Sequence, residues 1–86
     1  MPYTVSIKPK AEKFLAGLRD AQLYRRLSQA IDDLSSTPRP PGCLKMQGEQ
    51  ELYRIRVGDY RILYEVQDAV LVVLVVRIGN RREVYR

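Results

Sequence analysis

Apolar residues follow two different spacings in the first 34 residues of the chain. Residues 3–8 alternate apolar and polar side chains, a pattern typical of a half-buried strand. Beyond Pro9, which suits the first turn of a helix, apolar residues recur at helical spacing in two groups, and Asp20 is suited to cap the second group. The pattern therefore predicts one strand followed by two short antiparallel helices. Their apolar residues are Ala11, Phe14, Leu15 and Leu18 in the first helix and Leu23, Tyr24, Leu27, Ala30, Ile31 and Leu34 in the second.

A proline-rich segment, "SSTPRPPGC" (Ser35–Cys43), follows the helices. It cannot continue a helix, because each proline lacks a backbone donor and pushes the preceding residue into an extended conformation. We predict a crossing loop rather than a linker, since neither half of the chain could bury a core alone. The sequence is therefore expected to form a single domain over residues 1–86.

The second half of the chain changes to the period of two that predicts β-strands. The segments "LYRIRV" and "YRILYEV" flank Gly58-Asp59, a two-residue signal for a tight hairpin. The nearly continuous apolar run "VLVVLVVRI" then indicates a strand that is buried on both faces and is therefore central. The predicted order is β-α-α-β-β-β, an α+β fold in which the N-terminal strand and the helical hairpin pack on an antiparallel sheet.

The predicted hairpin brings arginines together on one face of the sheet. A Gly58-Asp59 loop sets Arg56 opposite Arg61, and the alternation of side chains puts Arg54 on the same face. Like charges directly opposite each other destabilise a sheet by about 0.2–1 kcal/mol per pair, so a compensating charge is expected. Either a surface salt network or a bound phosphate or acidic partner can supply it, and the convergence of three arginines favours the second. The carboxylates available for a salt network are Glu51 and Glu65.

The two faces of the predicted sheet differ in polarity. The face opposite the arginines is apolar and is expected to be covered by the helices, which makes its tyrosines core residues. A turn at Asp68-Ala69 would add apolar residues of the last strand to the arginine face, whereas a shift of one residue would reverse the faces. Apolar surface beside positive charge suggests a protein partner. The residues expected under the helices are Tyr53, Ile55, Val57, Tyr60, Ile62, Tyr64 and Val66, and the apolar residues beside the arginines are Val72, Leu74 and Val76.

Charge and composition narrow the candidate chemistry. The chain has 15 basic and 10 acidic residues, a formal charge of +5, which favours a polyanionic or acidic partner. After Tyr53 it contains seven arginines and no lysine, and the planar guanidinium group is suited to phosphate. With no histidine and the single cysteine Cys43, a Cys-His pair and an internal disulfide are impossible, and we expect neither a metal nor a cofactor.

The sequence also indicates a cytoplasmic protein. The first ten residues, "MPYTVSIKPK", lack the apolar segment and the cleavage pattern of a signal peptide. The longest apolar run, Ala69–Val76, is about half as long as a membrane span requires. A single cysteine in a loop is consistent with a reducing compartment.

The segments "LYRIRVGDYRILYEV" and "VLVVLVVRIGNRREVY" resemble the RelE branch of the RelE/ParE toxin superfamily, the toxin halves of type II toxin-antitoxin pairs. The likeness covers essentially the whole chain and is most specific from Tyr53 to Tyr85. It implies a small endoribonuclease that enters the ribosomal A site and cuts the mRNA codon there, which inhibits translation. The 2′-hydroxyl would attack its adjacent phosphate and leave a cyclic phosphate. It also implies a RelB-like or other small acidic antitoxin that covers the toxin and links it to operator DNA.

The resemblance assigns roles to individual residues. Arg61, Arg81 and Tyr85 match the family's catalytic positions on the third strand, after the glycine turn and in the final "EVY" triplet. Arg54 and Arg56 occupy positions at which RelE has two lysines, and they would bind the phosphate. The other members of the expected RNA-binding set are Lys45 and Arg82.

Departures from the family pattern affect the mechanism. Guanidinium stays protonated under ordinary conditions, so Arg54 and Arg56 cannot act as the general base that a lysine could supply. Tyr85 is then the remaining candidate base, and its pKa of about 10 would have to be lowered by neighbouring arginines. The alternative for Tyr85 is a side chain that anchors the chain end or stacks on a base. Because the tail is shorter than in RelE, Arg82 can take the role of Arg81.

Two other functions are compatible with the sequence. ParE-like toxins share the fold and act by trapping DNA gyrase, and they generally lack the basic set and the final tyrosine that Arg61, Arg81 and Tyr85 would provide here. A toxin that has lost catalysis would use its arginines only to bind acidic residues of the antitoxin.

Overall fold

Five strands and two helices make up the described part of the chain, residues 2–48 and 51–80 of a computed structural model. They are β1 (Thr4–Ile7), α1 (Pro9–Ala16), α2 (Ala21–Asp33), β2 (Leu44–Lys45), β3 (Leu52–Val57), β4 (Tyr60–Gln67) and β5 (Val72–Asn80). All elements predicted from the apolar spacing are present. The addition is β2, whose two residues are too few to show a period of two.

The strands form one mixed sheet in the order β1-β5-β4-β3-β2. β1 runs parallel to β5, and the other neighbours are antiparallel. β5 is an inner strand between β1 and β4, as its continuous apolar run predicts, although β4 occupies the middle of the sheet. The α+β fold is therefore confirmed, with the correction that the N-terminal strand is part of the sheet, which is not purely antiparallel.

Local sequence explains where both helices begin. Pro9 occupies the first turn of α1. Backbone N–H groups in a first turn have no partner within the helix, so the N–H that proline lacks costs no hydrogen bond. The Oδ1 atom of Asp20 accepts hydrogen bonds from the backbone N–H groups of Gln22 and Leu23, at 3.0 and 3.1 Å, and caps α2 as predicted. Within the described ranges, neither helix is long and apolar enough to cross a membrane.

The core lies between the helices and one face of the sheet. Alternate residues of β3 and β4 enter it, as the period of two predicts. Tyr24 departs from the expected stripe and is 44% exposed, because it lies beside Leu23 at the margin of the apolar face of α2. The buried members of the core are Ala11, Leu15, Leu27, Ile31, Leu34, Tyr53, Ile62, Tyr64, Val66, Val73, Val75 and Ile78.

The turn between β4 and β5 is longer than the sequence predicts. The predicted turn has two residues, Asp68-Ala69, whereas the observed turn spans residues 68–71 and Gln67 pairs with Val72. Because the difference is two residues, the side chains of β5 nearest the turn keep their predicted faces. Leu74 pairs with Glu65 on the side of the sheet that faces away from the helices.

A β-bulge interrupts the pairing of β4 with β5. Val75 pairs with Tyr64, but Arg77 pairs with the adjacent residue Leu63, so Val76 is an extra residue in the ladder. Side chains beyond the bulge therefore exchange faces relative to the predicted alternation. This corrects the expectation that Val76 simply continues the apolar row beside the arginines.

Candidate functional site

The arginine face is the side of the sheet turned away from the helices, and it carries Arg54, Arg56, Arg61 and Arg77. Arg56 and Arg61 are direct partners across β3 and β4, which confirms the register predicted from the hairpin. Their Cβ atoms are therefore about 4.5–5.5 Å apart. Two cationic side chains at this spacing repel each other, and an anion bound between them would relieve the repulsion.

Arg54 occupies the next row of the arginine face. It pairs with Leu63 of β4, and Leu63 pairs in turn with Arg77 of β5. Leu63 is 8% exposed although it does not belong to the core beneath the helices. The structure thus brings the three arginines predicted from the hairpin onto one surface.

Arg77 is a member of this face that the period of two did not reveal. Strict alternation after Val75 would direct Arg77 towards the helices, and the bulge at Val76 reverses this. One signal was present in the sequence: Arg77 is charged where alternation after Val73 and Val75 predicts a core position, and apolar Ile78 follows it. Ile78 is 4% exposed and lies in the core, as a bulge before it requires.

The arginine side chains differ in exposure. Arg56 is exposed, and its Nε atom donates a hydrogen bond to the carbonyl oxygen of Gly58 at 2.9 Å. Arg54 and Arg61 are half-buried, and the Nη1 atom of Arg61 is buried. On β5, Arg61 pairs with Gly79, so the neighbouring position on that side carries no side chain.

The two carboxylates that could form a salt network with the arginines have other partners. The Oε2 atom of Glu51 lies 2.9 Å from Nη2 of Arg39, and its Oε1 atom lies 4.0 Å from Nζ of Lys45. Glu65 accepts a hydrogen bond from Nε2 of Gln67 at 3.3 Å. Across residues 2–48 and 51–80, no three acidic or cysteine side chains are grouped so that they could hold a metal ion.

Lys45, expected in the RNA-binding set, is not brought to the arginine face. It pairs with Tyr53, which faces the helices, whereas its neighbour Leu44 pairs with Arg54. Direct partners in an antiparallel pair share a face, so the position beside Arg54 is taken by Leu44. Leu44 is 52% exposed and adds apolar surface to the edge of the arginine face.

Arg81, Arg82 and Tyr85 lie outside the described residues. Their catalytic and RNA-binding roles stay predictions. The last described residue, Asn80, pairs with Tyr60 at the hairpin end of the sheet.

The tyrosines of β3 and β4 belong to the core, as predicted. The rings of Tyr53 and Tyr64 stack with centroids 5.9 Å apart, and the hydroxyl of Tyr64 donates a hydrogen bond to the carbonyl oxygen of Pro38 at 2.8 Å. Burial raises the pKa of Tyr64 above its ordinary value. These hydroxyl groups are on the opposite side of the sheet from the arginines, so they are not candidates for chemistry there.

A second polar group, the Arg39 cluster, consists of Tyr3, Arg39, Glu51, Tyr53 and Asp68. The guanidinium of Arg39 donates hydrogen bonds to the hydroxyl of Tyr53 at 2.9 Å, to Glu51 at 2.9 Å and to Asp68 at 2.7 and 3.2 Å. It also lies 5.1 Å from the centroid of the Tyr53 ring. The cluster ties the proline-rich loop to the end of the sheet opposite the hairpin, and nothing in the local sequence pattern predicted it.

Stability should depend on acid pH through Asp68. Hydrogen bonds from Arg39 and from the hydroxyl of Tyr3, at 2.5 Å, hold the pKa of Asp68 below its usual range. Its stabilising contribution is therefore present above the unfolded pKa of about 3.9 and is lost as the pH falls through the lower folded value. We expect Asp68→Asn to lower stability at neutral pH and to show a smaller further loss in acid than the parent.

Urea unfolding followed by circular dichroism at about pH 7 and about pH 2.5 measures this difference. Asp32→Asn, a change at an exposed position of α2, is the matched control. An equal pH dependence in the parent and in Asp68→Asn would show that the Arg39 cluster does not stabilise the loop through this carboxylate.

Comparisons with known proteins agree with the arrangement of the sheet and the helices. Residues 5–85 match the family described as the ParE toxin of the type II toxin-antitoxin system parDE. Toxin RelG of Mycobacterium tuberculosis is 31% identical over 86 residues, which cover 100% of this chain and 99% of RelG. A chain of the archaeal RelE-RelB complex from Pyrococcus horikoshii OT3 is similar at a TM-score of 0.81 and 33% identity, covering 96% of this chain and 99% of that one.

The isolated RelE toxin of E. coli has the same architecture. It is similar at a TM-score of 0.79 and 28% identity, covering 96% of this chain and 90% of that one. The family match, the relative above 30% identity and the shared topology all extend over nearly the whole chain. The chain therefore belongs to the RelE/ParE superfamily of toxins from type II toxin-antitoxin systems.

Proposed function

We propose that this toxin is a ribosome-dependent endoribonuclease that cleaves mRNA in the A site. The observation that carries the proposal is the direct pairing of Arg56 with Arg61 on the sheet face turned away from the helices, with Arg54 in the adjacent row. Guanidinium groups in such an arrangement match the charge and the bidentate geometry of phosphate. The family resemblance, which implies cleavage of an mRNA codon, makes mRNA the first substrate to test.

The reaction proposed is an internal transesterification. The 2′-oxygen of one nucleotide forms a bond to the adjacent phosphorus, and the bond from that phosphorus to the 5′-oxygen of the next nucleotide breaks. The 2′-hydroxyl proton goes to a general base, and the leaving 5′-oxygen takes up a proton. The products are a 2′,3′-cyclic phosphate and a 5′-hydroxyl end, and no metal or cofactor is required.

The arginines would stabilise the charge that develops on the phosphoryl oxygens. Donors held at fixed positions stabilise such charge without reorganising during the reaction, and this kind of contribution is commonly the largest in catalysis. Arg61 is suited to this role because it is half-buried and flanked by Arg56. Guanidinium does not give up a proton, so the arginines bind and polarise the phosphate and do not act as bases.

Tyr85 is the proposed general base, together with Arg81 or Arg82 as a further cation. An unperturbed tyrosine has a pKa of about 10, and nearby guanidinium groups favour its ionised form. Residues on the ribosome can supply part of the proton transfer, because the toxin has no histidine and, after Tyr53, no lysine.

The proposed partner is a cognate antitoxin similar to RelB, through which the toxin would reach operator DNA. Solved relatives from P. horikoshii and M. tuberculosis are complexes of a RelE-type toxin with its antitoxin. Half-buried Val72 and Leu74 and exposed Leu44 lie on the same side of the sheet as the arginines. A partner that offers apolar and acidic side chains would cover both parts of this surface.

Mapping RNA ends tests the proposal directly. Purified toxin is added to ribosomes translating a defined mRNA, and the same mRNA without ribosomes serves as the control. We expect cuts at fixed positions within the A-site codon, with cyclic phosphate and 5′-hydroxyl ends, only when ribosomes are present. Intact mRNA on translating ribosomes would exclude this function.

A second candidate function, the trapping of DNA gyrase expected of ParE-like toxins, follows from the match to the ParE family. Under that alternative the purified toxin would stabilise cleavage complexes of gyrase with DNA and leave mRNA intact. The two assays run in parallel separate the candidates. A toxin inactive in both, yet bound tightly by its antitoxin, would be one that has lost its activity.

A further inference from the structure

We propose that Arg77 binds a second phosphate of the RNA, the one adjacent to the phosphate that is cleaved. The inference rests on the proposed endoribonuclease function and specifies how its substrate is held. It assigns to Arg77 a role in binding, whereas Arg61 acts on the reacting phosphate.

The arginine face is built of two cationic rows. In the first row Arg56, Arg61 and Gly79 are partners across β3, β4 and β5. In the second row Arg54 and Arg77 are joined through Leu63. The rows are two residues apart along the strands, a separation of about 7 Å. Each row can therefore serve its own phosphate of a single strand that crosses the sheet face.

The β-bulge at Val76 places Arg77 in the second row. Because Val76 is the extra residue, Arg77 lies opposite Leu63 instead of facing the helices. β-Bulges commonly re-aim a side chain near a binding site. In the same step Ile78 enters the core, where it is 4% exposed, so the irregularity is fixed by packing on the other face. Arg77 is consequently held in register with Arg54.

The composition of the second row suits a phosphate that is bound without being cut. Leu63 separates Arg54 from Arg77 in the second row, so the two arginine positions flank an apolar residue that is 8% exposed. The first row, in contrast, has its two arginines directly opposite each other. Phosphate contacts of this kind set the position and orientation of a nucleic acid and add a salt-dependent contribution to affinity.

Chemical removal of single charges from the RNA tests the assignment. Ribosomes are loaded with an mRNA that carries a 2′-O-methyl group at the attacking nucleotide, so that it binds without being cut. Two further mRNAs replace the linkage on the 5′ or the 3′ side of the scissile phosphate by an uncharged methylphosphonate. Dissociation constants are measured for the parent, Arg77→Gln, Arg77→Lys and the control Arg25→Gln, which changes an exposed arginine of α2.

On the fully charged mRNA, Arg77→Gln is expected to bind about tenfold more weakly. The slope of the logarithm of affinity against the logarithm of salt concentration should become shallower by about one, because one fewer counterion is released. On one of the two methylphosphonate mRNAs, the parent and Arg77→Gln should bind equally, because the charge that Arg77 contacts is already absent. Arg77→Lys should stay within about threefold of the parent, since the cation is kept. Arg25→Gln should behave like the parent on all three mRNAs.

Cleavage of an unmodified mRNA supplies an independent readout. Arg77→Gln should raise the toxin concentration needed for half-maximal rate by about tenfold and change the saturating rate by less than about threefold. The assignment is overturned if Arg77→Gln binds all three mRNAs with the same relative loss, binds them all like the parent, or lowers only the saturating rate. Failure of the parent to cut mRNA would instead reject the proposed function, while the uncut mRNAs still measure the contact.

Discussion

Arg61→Ala is expected to lower the rate of mRNA cleavage on ribosomes by about 10²–10³-fold, the effect of removing one fixed donor from a developing anionic charge. Arg61 is the central cation of the arginine face, because it pairs with Arg56 on one side and with Gly79 on the other. Its half-buried side chain is held by the sheet, so little reorganisation is needed when the phosphate reacts. Single-turnover cleavage at saturating toxin measures the loss.

Three comparisons make the result specific to catalysis. Arg25→Ala removes the same charge from α2 and should leave the rate unchanged. Arg61→Lys keeps the charge but loses the planar fork of donors, and its rate should fall between those of the parent and Arg61→Ala. The far-UV circular dichroism spectrum and the thermal unfolding midpoint of Arg61→Ala report whether the protein still folds. A loss of less than about threefold in a folded Arg61→Ala protein would remove Arg61 from the mechanism.

Leu27→Ala is expected to destabilise the toxin by about 2–5 kcal/mol. Leu27 is 0% exposed and lies on the face of α2 that packs on the sheet, so truncation removes buried apolar surface and leaves a cavity. A domain of this size is stabilised by only about 5–15 kcal/mol, and the variant should therefore unfold at a much lower urea concentration. Urea unfolding monitored by circular dichroism gives the change in free energy.

Tyr24→Ala is the matched control for this change, because it removes a large side chain from the same helix at a position that is 44% exposed. The loss there should be within about 0.5 kcal/mol of zero, with helix propensity opposing the small loss of contact. Equal losses at the two positions would contradict the packing of α2 on the sheet.

The arginines of the candidate site and the Arg39 cluster occupy opposite ends of the sheet. Arg56 and Arg61 lie next to the Gly58-Asp59 hairpin, whereas Arg39 and Asp68 join the loop and the far turn. Substitutions in the Arg39 cluster should therefore change the free energy of unfolding without changing the arrangement of the arginines. Substitutions on the arginine face should in turn leave the Arg39 cluster intact, so those variants can be compared at similar stability.

Much of the fold could be predicted because the signals are local. Gly58-Asp59 sets the turn, the turn sets the register, and the register alone brings Arg56 opposite Arg61. Asp20 forms the helix cap through atoms only two and three residues away. The period of two separated the core tyrosines from the arginines correctly, since each face of a strand collects every second residue.

Parts of the candidate site could not be predicted, because they depend on partners distant in the chain. Lys45 was expected with the arginines, but its two-residue strand is aligned by pairing with β3, which turns Leu44 to that face instead. The Arg39 cluster joins residues 3, 39, 51, 53 and 68, which no local spacing connects. Arg81, Arg82 and Tyr85 lie outside the described residues, and their roles rest on the family resemblance.

The sequence by itself determined both helices, every strand except β2, the hairpin register and the meeting of three arginines, because each follows from the conformational preferences of neighbouring residues. Tertiary structure decided the parallel pairing of β1 with β5, the bulge at Val76 and the membership of Arg77 in the arginine face. The bulge lets Ile78 enter the core while Arg77 stays outside it, and that choice arises only when β5 packs between two strands and beneath the helices. Local preferences thus fix what each segment is, whereas the shared core fixes which side chains reach the site.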